Sequence, residues 1–239
     1  HWLANEAFAA TARYDAAISR WFGERYEDFP THQTVSMEKF MDLSYGENPH
    51  QRAAYYTEVG ARAHVLSRVS KRHGKELSFN NVLDLDSACN LLADLDGPAC
   101  VIVKHNNPCG AASGESALAA YEKAFACDPT SAFGGIIALN RTVDAPLAER
   151  LNAQFVEVLI APGYDEAAKE ILTSKKNIRI LCDTETRPAD DTALEIRQVR
   201  GGLLVQDRDM VAVGAGNAVH IGLLDEMAFA CRPIGHFYP

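Results

Sequence analysis

Lys104-His105-Asn106-Asn107-Pro108, closed by Cys109-Gly110, is the densest run of reactive side-chain types in the chain. It follows the apolar residues 99–103, which read as a buried strand. A core has no need of Lys-His at that point. Histidine titrates near neutrality and is the commonest general acid/base. A neighbouring ammonium can stabilise an oxyanion as it develops. Ligands of open α/β sheets bind at the carboxyl ends of strands, so a turn there is where proton-transfer chemistry is expected. The plainer reading of the same dipeptide is a solvated strand-end lysine beside a structurally bonded histidine. Pro108 is expected to stiffen the turn and Gly110 to loosen it.

Three other clusters carry polar chemistry. Tyr45-Gly46-Glu47-Asn48-Pro49-His50-Gln51 gathers an aromatic plate, a carboxylate, amides and an imidazole around a turn. Such a set suits a flat polar ligand held by stacking and hydrogen bonds. It equally suits a loop whose Asn48 and His50 satisfy backbone groups. Ser78-Phe79-Asn80-Asn81 is a polar knot before a helix, and an Asx-type cap is its ordinary role. In the run from Asp128 to Gly135, Gly134-Gly135 permit positive φ or a close backbone approach to a ligand. A simple turn into the next strand is the alternative.

Metal chemistry has little support. A zinc deaminase needs His-x-Glu and Pro-Cys-x-x-Cys elements, and Pro108-Cys109 is followed by Gly110-Ala111-Ala112. Stoichiometric zinc would revive a deaminase-like hydrolase. Gly214-Ala215-Gly216 is too short for a dinucleotide fingerprint. Cys109 has only His105 nearby as an activator for a nucleophilic role.

The elements that must position these groups can be read from periodicity. Residues 1–22 form an amphipathic helix with Leu3, Ala7, Ala10, Tyr14, Ile18 and Trp21 at steps of three and four, stopped by Gly23. Residues through Thr34 read as a linker. Asp86 and Ser87 are expected to cap a helix through about Leu95, ended by Gly97-Pro98. Residues 115–126 read as a helix with Leu118, Tyr121 and Phe125 on one face and Ser113 as N-cap. Strands follow at 135–139, 156–161 and 178–182. Helices open at Asp144, with Pro146 at its preferred first position, and at Asp165. Residues 183–195 read as an exposed acidic loop. This alternation predicts an α/β fold, a mostly parallel sheet with flanking helices, plus an N-terminal linker helix.

Bulk composition is compatible with such a fold. The 239 residues suit one large domain or two small ones, with 47% hydrophobic residues to build a core. Twenty-three basic and 32 acidic residues give a net charge of −9, which argues against a general nucleic-acid binder. No stretch approaches the roughly 20 apolar residues that span a bilayer, and no signal peptide is visible. Six cysteines (Cys89, Cys100, Cys109, Cys127, Cys182, Cys231) lie scattered without a Cys-x-x-Cys pair, which fits a cytoplasmic location. The chain begins at His1 rather than methionine and reads as a piece of something longer or processed.

Taken together the clusters resemble the AICAR transformylase/IMP cyclohydrolase family. The matching strings are the 45–51 loop, Gly74-Lys-Glu-Leu-Ser-Phe-Asn-Asn81, the 104–110 run, Cys127-Asp-Pro-Thr-Ser-Ala-Phe-Gly-Gly135 and Ile160-Ala-Pro-Gly-Tyr164. Residues 175–179 and 201–206 add weaker matches. The resemblance runs from about residue 1 to about 209 and implies the transformylase part. It implies a cytidine-deaminase-like subdomain without zinc. It also implies transfer of a formyl group from the co-substrate 10-formyltetrahydrofolate to the 5-amino group of AICAR. By motif, Lys104 and His105 look like the catalytic pair. Tyr45, Asn81 and Gly134 look like AICAR contacts, and Glu157 resembles another nucleotide-contacting acid. Family sites lie at a subunit interface, so a homodimer is implied, with no nucleic-acid or membrane partner.

The expected division is a linker at 1–34, a first transformylase subdomain at 35–209 and a divergent tail at 210–239. Cyclohydrolase activity is not expected. Ser44 stands where the family usually has a phosphate-binding arginine, which predicts weaker AICAR affinity. The alternative function is a catalytically incomplete nucleotide-binding and dimerisation module, separated from the first by a formyl-transfer assay.

Overall fold

The computed structural model describes residues 1–26, 29–59, 65–67, 69–184 and 194–207. The expected tail at 210–239, the glycine loop at 214–216, Cys231 and most of the acidic loop lie outside the described residues. The chain divides into two units. The first takes described residues within 1–68 and 76–82, and the second those within 69–75 and from 83 onward.

In the first unit, helix α1 spans Trp2–Tyr26. It passes through Gly23, which was expected to stop it. An interior glycine costs about 1 kcal/mol relative to alanine but does not by itself end a helix. Beyond it, the Arg25 guanidinium stacks 3.6 Å from the Trp21 ring centroid and Arg25 Nη1 donates to the Trp21 carbonyl at 2.8 Å. The predicted apolar face is not a buried face: Ala16 is buried, whereas Leu3, Tyr14 and Trp21 are exposed. Periodicity marks a stripe, but only a tertiary neighbour buries it. Strands β1 (Met37–Leu43) and β2 (Ala53–Glu58) form an antiparallel hairpin around the 45–51 loop. Periodicity missed both, because β1 is mostly exposed and mixes Glu, Lys and Asp among its apolar residues.

The second unit holds strands β3 (Val69–His73), β4 (Ala99–Lys104), β5 (Asn107–Ser113), β6 (Ile136–Leu139), β7 (Val158–Ala161) and β8 (Arg179–Asp183). They form one six-stranded sheet in the order β3-β8-β7-β6-β4-β5. β6, β7 and β8 pair in parallel; β4 is antiparallel to both β5 and β6, and β3 is antiparallel to β8. Four strands (β5, β6, β7, β8) therefore run one way, as the expected α/β fold requires. Helices α3 (Ala117–Cys127), α4 (Ala145–Asn152) and α5 (Glu166–Thr173) share one core cluster with alternate sheet residues. Cys100, Ile102, Ile137, Leu139, Leu159 and Ile180 face that cluster. Val101, Val103, Ile136, Val158 and Leu181, one residue out of step along the pleat, are buried as well.

Two caps differ from expectation. Helix α2 spans Phe79–Ala93, so Asp86 and Ser87 lie inside it rather than at its start. Its N-terminus is closed by a reciprocal pair. Asn81 N–H donates to Ser78 Oγ at 3.2 Å, and Ser78 N–H donates to Asn81 Oδ1 at 3.0 Å. This is a capping box with asparagine in the usual Glu/Gln position. In α3 the N-cap is Ser116, whose Oγ accepts from Ala119 N–H at 3.1 Å, while Ser113 Oγ donates to the Asp96 carbonyl. Asp144 caps α4 as expected, accepting from Leu147 N–H at 3.0 Å. Strands β9 (Leu194–Val199) and β10 (Gly202–Asp207) form a separate antiparallel hairpin.

Candidate active site

The Lys-His run is not a loose loop. β4 and β5 are joined by a two-residue hairpin turn, His105-Asn106, with Lys104 and Asn107 as the closing pair. His105 has φ 54° and Asn106 φ 60°. Positive φ at both central positions is the mark of a type I′ turn, whose twist matches the flanking strands. Pro108 and Gly110 sit in β5 rather than in the turn. β5 is the sheet edge, where a missing N–H is tolerated. Gly110 serves packing: a Cβ there would lie 1.9 Å from the Ala124 carbonyl oxygen of α3.

Non-glycine residues occupy the left-handed region at a cost, and this turn has a countervailing contact. The Asp84 carboxylate accepts from both consecutive amides, His105 N–H at 3.1 Å and Asn106 N–H at 2.6 Å. Ser87 Oγ bonds Asn106 Oδ1 as a second tie to α2. Asn107 Nδ2 donates to the His105 carbonyl at 2.9 Å. The backbone is pinned while the His105 side chain remains exposed.

Strand register brings four of the six candidate residues to one end of the sheet. Val103 pairs with Ile136, Ile136 with Val158, and Val158 with Arg179. One step outward at this end lie Lys104, Gly135 and Glu157. Because β4 runs antiparallel to β6, its carboxyl end meets the amino ends of β6, β7 and β8. Lys104 Nζ donates to the Phe133 carbonyl at 2.8 Å, tying the lysine to the 128–135 loop. Gly134 has φ 75°, its N–H donates to the Phe155 carbonyl at 2.8 Å, and a Cβ would crowd the Phe155 ring at 3.2 Å. Glu157 Oε1 lies 3.4 Å from Nη1 of Arg179, whose side chain is nearly buried.

Tyr45 and Asn81, the other two candidates, lie in the first unit, on segments that bond to each other. Ser44 N–H and Oγ both donate to the Leu77 carbonyl, Phe79 N–H donates to the Tyr45 carbonyl, and Asn80 Nδ2 donates to the Glu47 carbonyl. The 45–51 loop is closed on itself by Gly46 N–H to the Gln51 carbonyl at 2.8 Å and by Asn48 N–H to Gln51 Oε1 at 2.8 Å. The capping use of Asn81 is therefore present alongside its candidate binding role.

Sequence reasoning missed Asp84, Ser87 and Arg179. Asp84 is only 8% exposed and shares a helix face with the fully buried Leu85 and Ala88. A carboxylate on the inward face of an apolar helix needs hydrogen-bond partners, and that was the available signal. Arg179 had none, since it opens a strand like many solvated arginines. Cys109, a weak nucleophile candidate, is buried in the core cluster. Among the described residues no group of three or more His, Cys, Asp or Glu side chains is gathered for a metal ion. Among the described residues, too, no helix is long and apolar enough to cross a membrane.

A model of the AICARFT/IMPCHase bienzyme family matches residues 1–227. The chain belongs to this family. It is 48% identical over 216 residues to the bifunctional purine biosynthesis protein PurH of Dinoroseobacter shibae, covering 89% of this chain and 41% of that protein. It is 48% identical over 213 residues to the protein of the same name from a Ruegeria species, covering 87% of this chain and 40% of that one. The chain thus spans about two fifths of the length of these curated relatives.

Proposed function

We propose that this chain carries the formyl-transfer part of the bienzyme, moving a formyl group from 10-formyltetrahydrofolate to the 5-amino group of AICAR in purine biosynthesis. The observation that carries this reading is the Lys104-His105 pair, displayed on a pinned hairpin turn at the end of the sheet that also holds Gly134 and Glu157. The AICAR amine is a poor nucleophile, because its lone pair is delocalised into the ring and carboxamide. Catalysis must hold that amine against the formyl carbon, take its proton and stabilise the tetrahedral oxyanion. In this reading the amine nitrogen bonds to the formyl carbon, and the bond from that carbon to N10 of the folate breaks. His105 takes the amine proton and returns it to the departing nitrogen. The Lys104 ammonium has three donors, so it can hold the Phe133 carbonyl and face the oxyanion at once. Tyr45, Asn81, Gly134 and Glu157 are the proposed nucleotide contacts. The same reading takes a homodimer as the working assembly.

A formyl-transfer assay with the purified chain tests it. His105→Ala is expected to slow turnover by about 10²–10⁴-fold, the range for positioned acid/base groups. Equal turnover in that variant would remove His105 from the mechanism. AICAR binding by the unaltered chain with no formyl transfer would favour a nucleotide-binding module over a catalyst.

A further inference from the structure

We infer that Asp84 is the positioning residue for the His105 turn. Neither His105 nor Asn106 is a glycine, yet both hold positive φ. The I′ conformation favours Asn-Gly or Gly-Gly at these two positions, so residue preference alone does not select it here. What the structure supplies instead is one carboxylate whose two oxygens accept the two successive N–H groups, at 3.1 and 2.6 Å. Two consecutive left-handed residues point their amides to the same side, and an anion bridging them holds the arrangement in place. Bonds from N–H groups to an ionised acceptor are roughly twice as strong as neutral ones. Asp84 is itself nearly buried on α2, beside Leu85 and Ala88, so its position is set by helix packing rather than by the turn.

The consequence lies on the solvent side of the turn. With both amides held inward, the Cα–Cβ direction of His105 is fixed, and its exposed imidazole leaves the turn from a set point one residue after Lys104. Asp84 touches no reacting atom in this account; it acts through the backbone of His105. The catalytic half of the inference rests on His105 being the reacting imidazole. The conformational half can be measured without substrate.

The experiment compares the unaltered chain with Asp84→Ala, Asp84→Asn and the double variant Asp84→Ala/Asn106→Gly. Amide hydrogen exchange at residues 105 and 106 is followed by NMR, and kcat and KM are measured in the formyl-transfer assay. Asp84→Ala is expected to speed exchange at both amides by about 10-fold or more. It should also lower kcat by about 10²-fold with a smaller change in KM, as a misplaced catalytic group does. Asp84→Asn keeps one carbonyl acceptor and is expected to deprotect one amide more than the other. Asn106→Gly supplies the left-handed conformation without a clamp, and should restore part of kcat to Asp84→Ala while both amides, still lacking their acceptor, stay unprotected. General loss of stability would not be rescued at that single turn position. Unchanged exchange at both amides in Asp84→Ala and Asp84→Asn would overturn the inference. Full turnover in His105→Ala would instead overturn the reading of the reaction, and leaves the exchange result to decide the clamp.

Discussion

Ser44 occupies the position where the resemblance places an arginine against the nucleotide phosphate. Its hydroxyl and its N–H both donate to the Leu77 carbonyl, so the residue is built into the loop rather than aimed outward as a cation. An arginine there would offer a planar, always charged fork suited to phosphate. Ser44→Arg is therefore expected to tighten AICAR about tenfold or more, the worth of a charge-assisted bidentate contact. Isothermal titration checks it, and unchanged affinity would show that the phosphate is held elsewhere. Asp128 belongs at the same scale. Ser131 Oγ donates to its Oδ2 at 2.5 Å and Ser131 N–H to its Oδ1 at 2.9 Å. The side-chain bond, then the backbone bond, hold its carboxyl below the usual carboxylate range. A carboxyl depressed in the fold contributes stability that is fully present above its unfolded value and is lost as pH falls through the folded one. Carbon-detected NMR titration should place its midpoint below that of a free aspartate, and Ser131→Ala should move it upward. An unmoved midpoint would mean that the hydroxyl is not the cause.

At the scale of elements, the hairpin β4–β5 and helix α3 are the parts that set the candidate site. Gly110 lets α3 approach β5 so closely that an added methyl would overlap the Ala124 carbonyl. Gly110→Ala is expected to cost about 1–3 kcal/mol through the shift it forces, read as a lower denaturation midpoint. An unchanged midpoint would show that α3 adjusts freely. The I′ turn itself was not legible in the chain, because His-Asn lacks the glycine that normally announces it. β5 was hidden for a related reason: its residues Asn107-Pro108-Cys109-Gly110 look like a loop, yet pairing with β4 at the sheet edge makes them a strand. Asp86 and Ser87 looked like a cap because short polar residues favour helix starts. The true start lies at Ser78, since the Ser78–Asn81 pair satisfies the first amides and Asp84 finds its partners on another element.

At the scale of the whole chain, the two units carry different shares of the candidate residues. Tyr45 and Asn81 belong to the first, and Lys104, His105, Gly134 and Glu157 to the second. The residues alone were enough for the α/β class, because short apolar runs alternating with amphipathic stretches can be buried only as strands under helices. They were enough, too, for the family: its model matches residues 1–227, a range that contains the spaced strings at 45–51, 74–81, 104–110 and 127–135. Spacing along a chain is a one-dimensional property and survives without coordinates. The strand order was not available in that way. Nothing local says that β4 runs against β6, yet that reversal is what puts Lys104 beside Gly135, with Glu157 one strand further on. Nor does anything near residue 105 point to Asp84, 21 positions away. Contacts between residues far apart in the chain are chosen by packing and by the need of a buried carboxylate for donors, and so only the folded structure decided them.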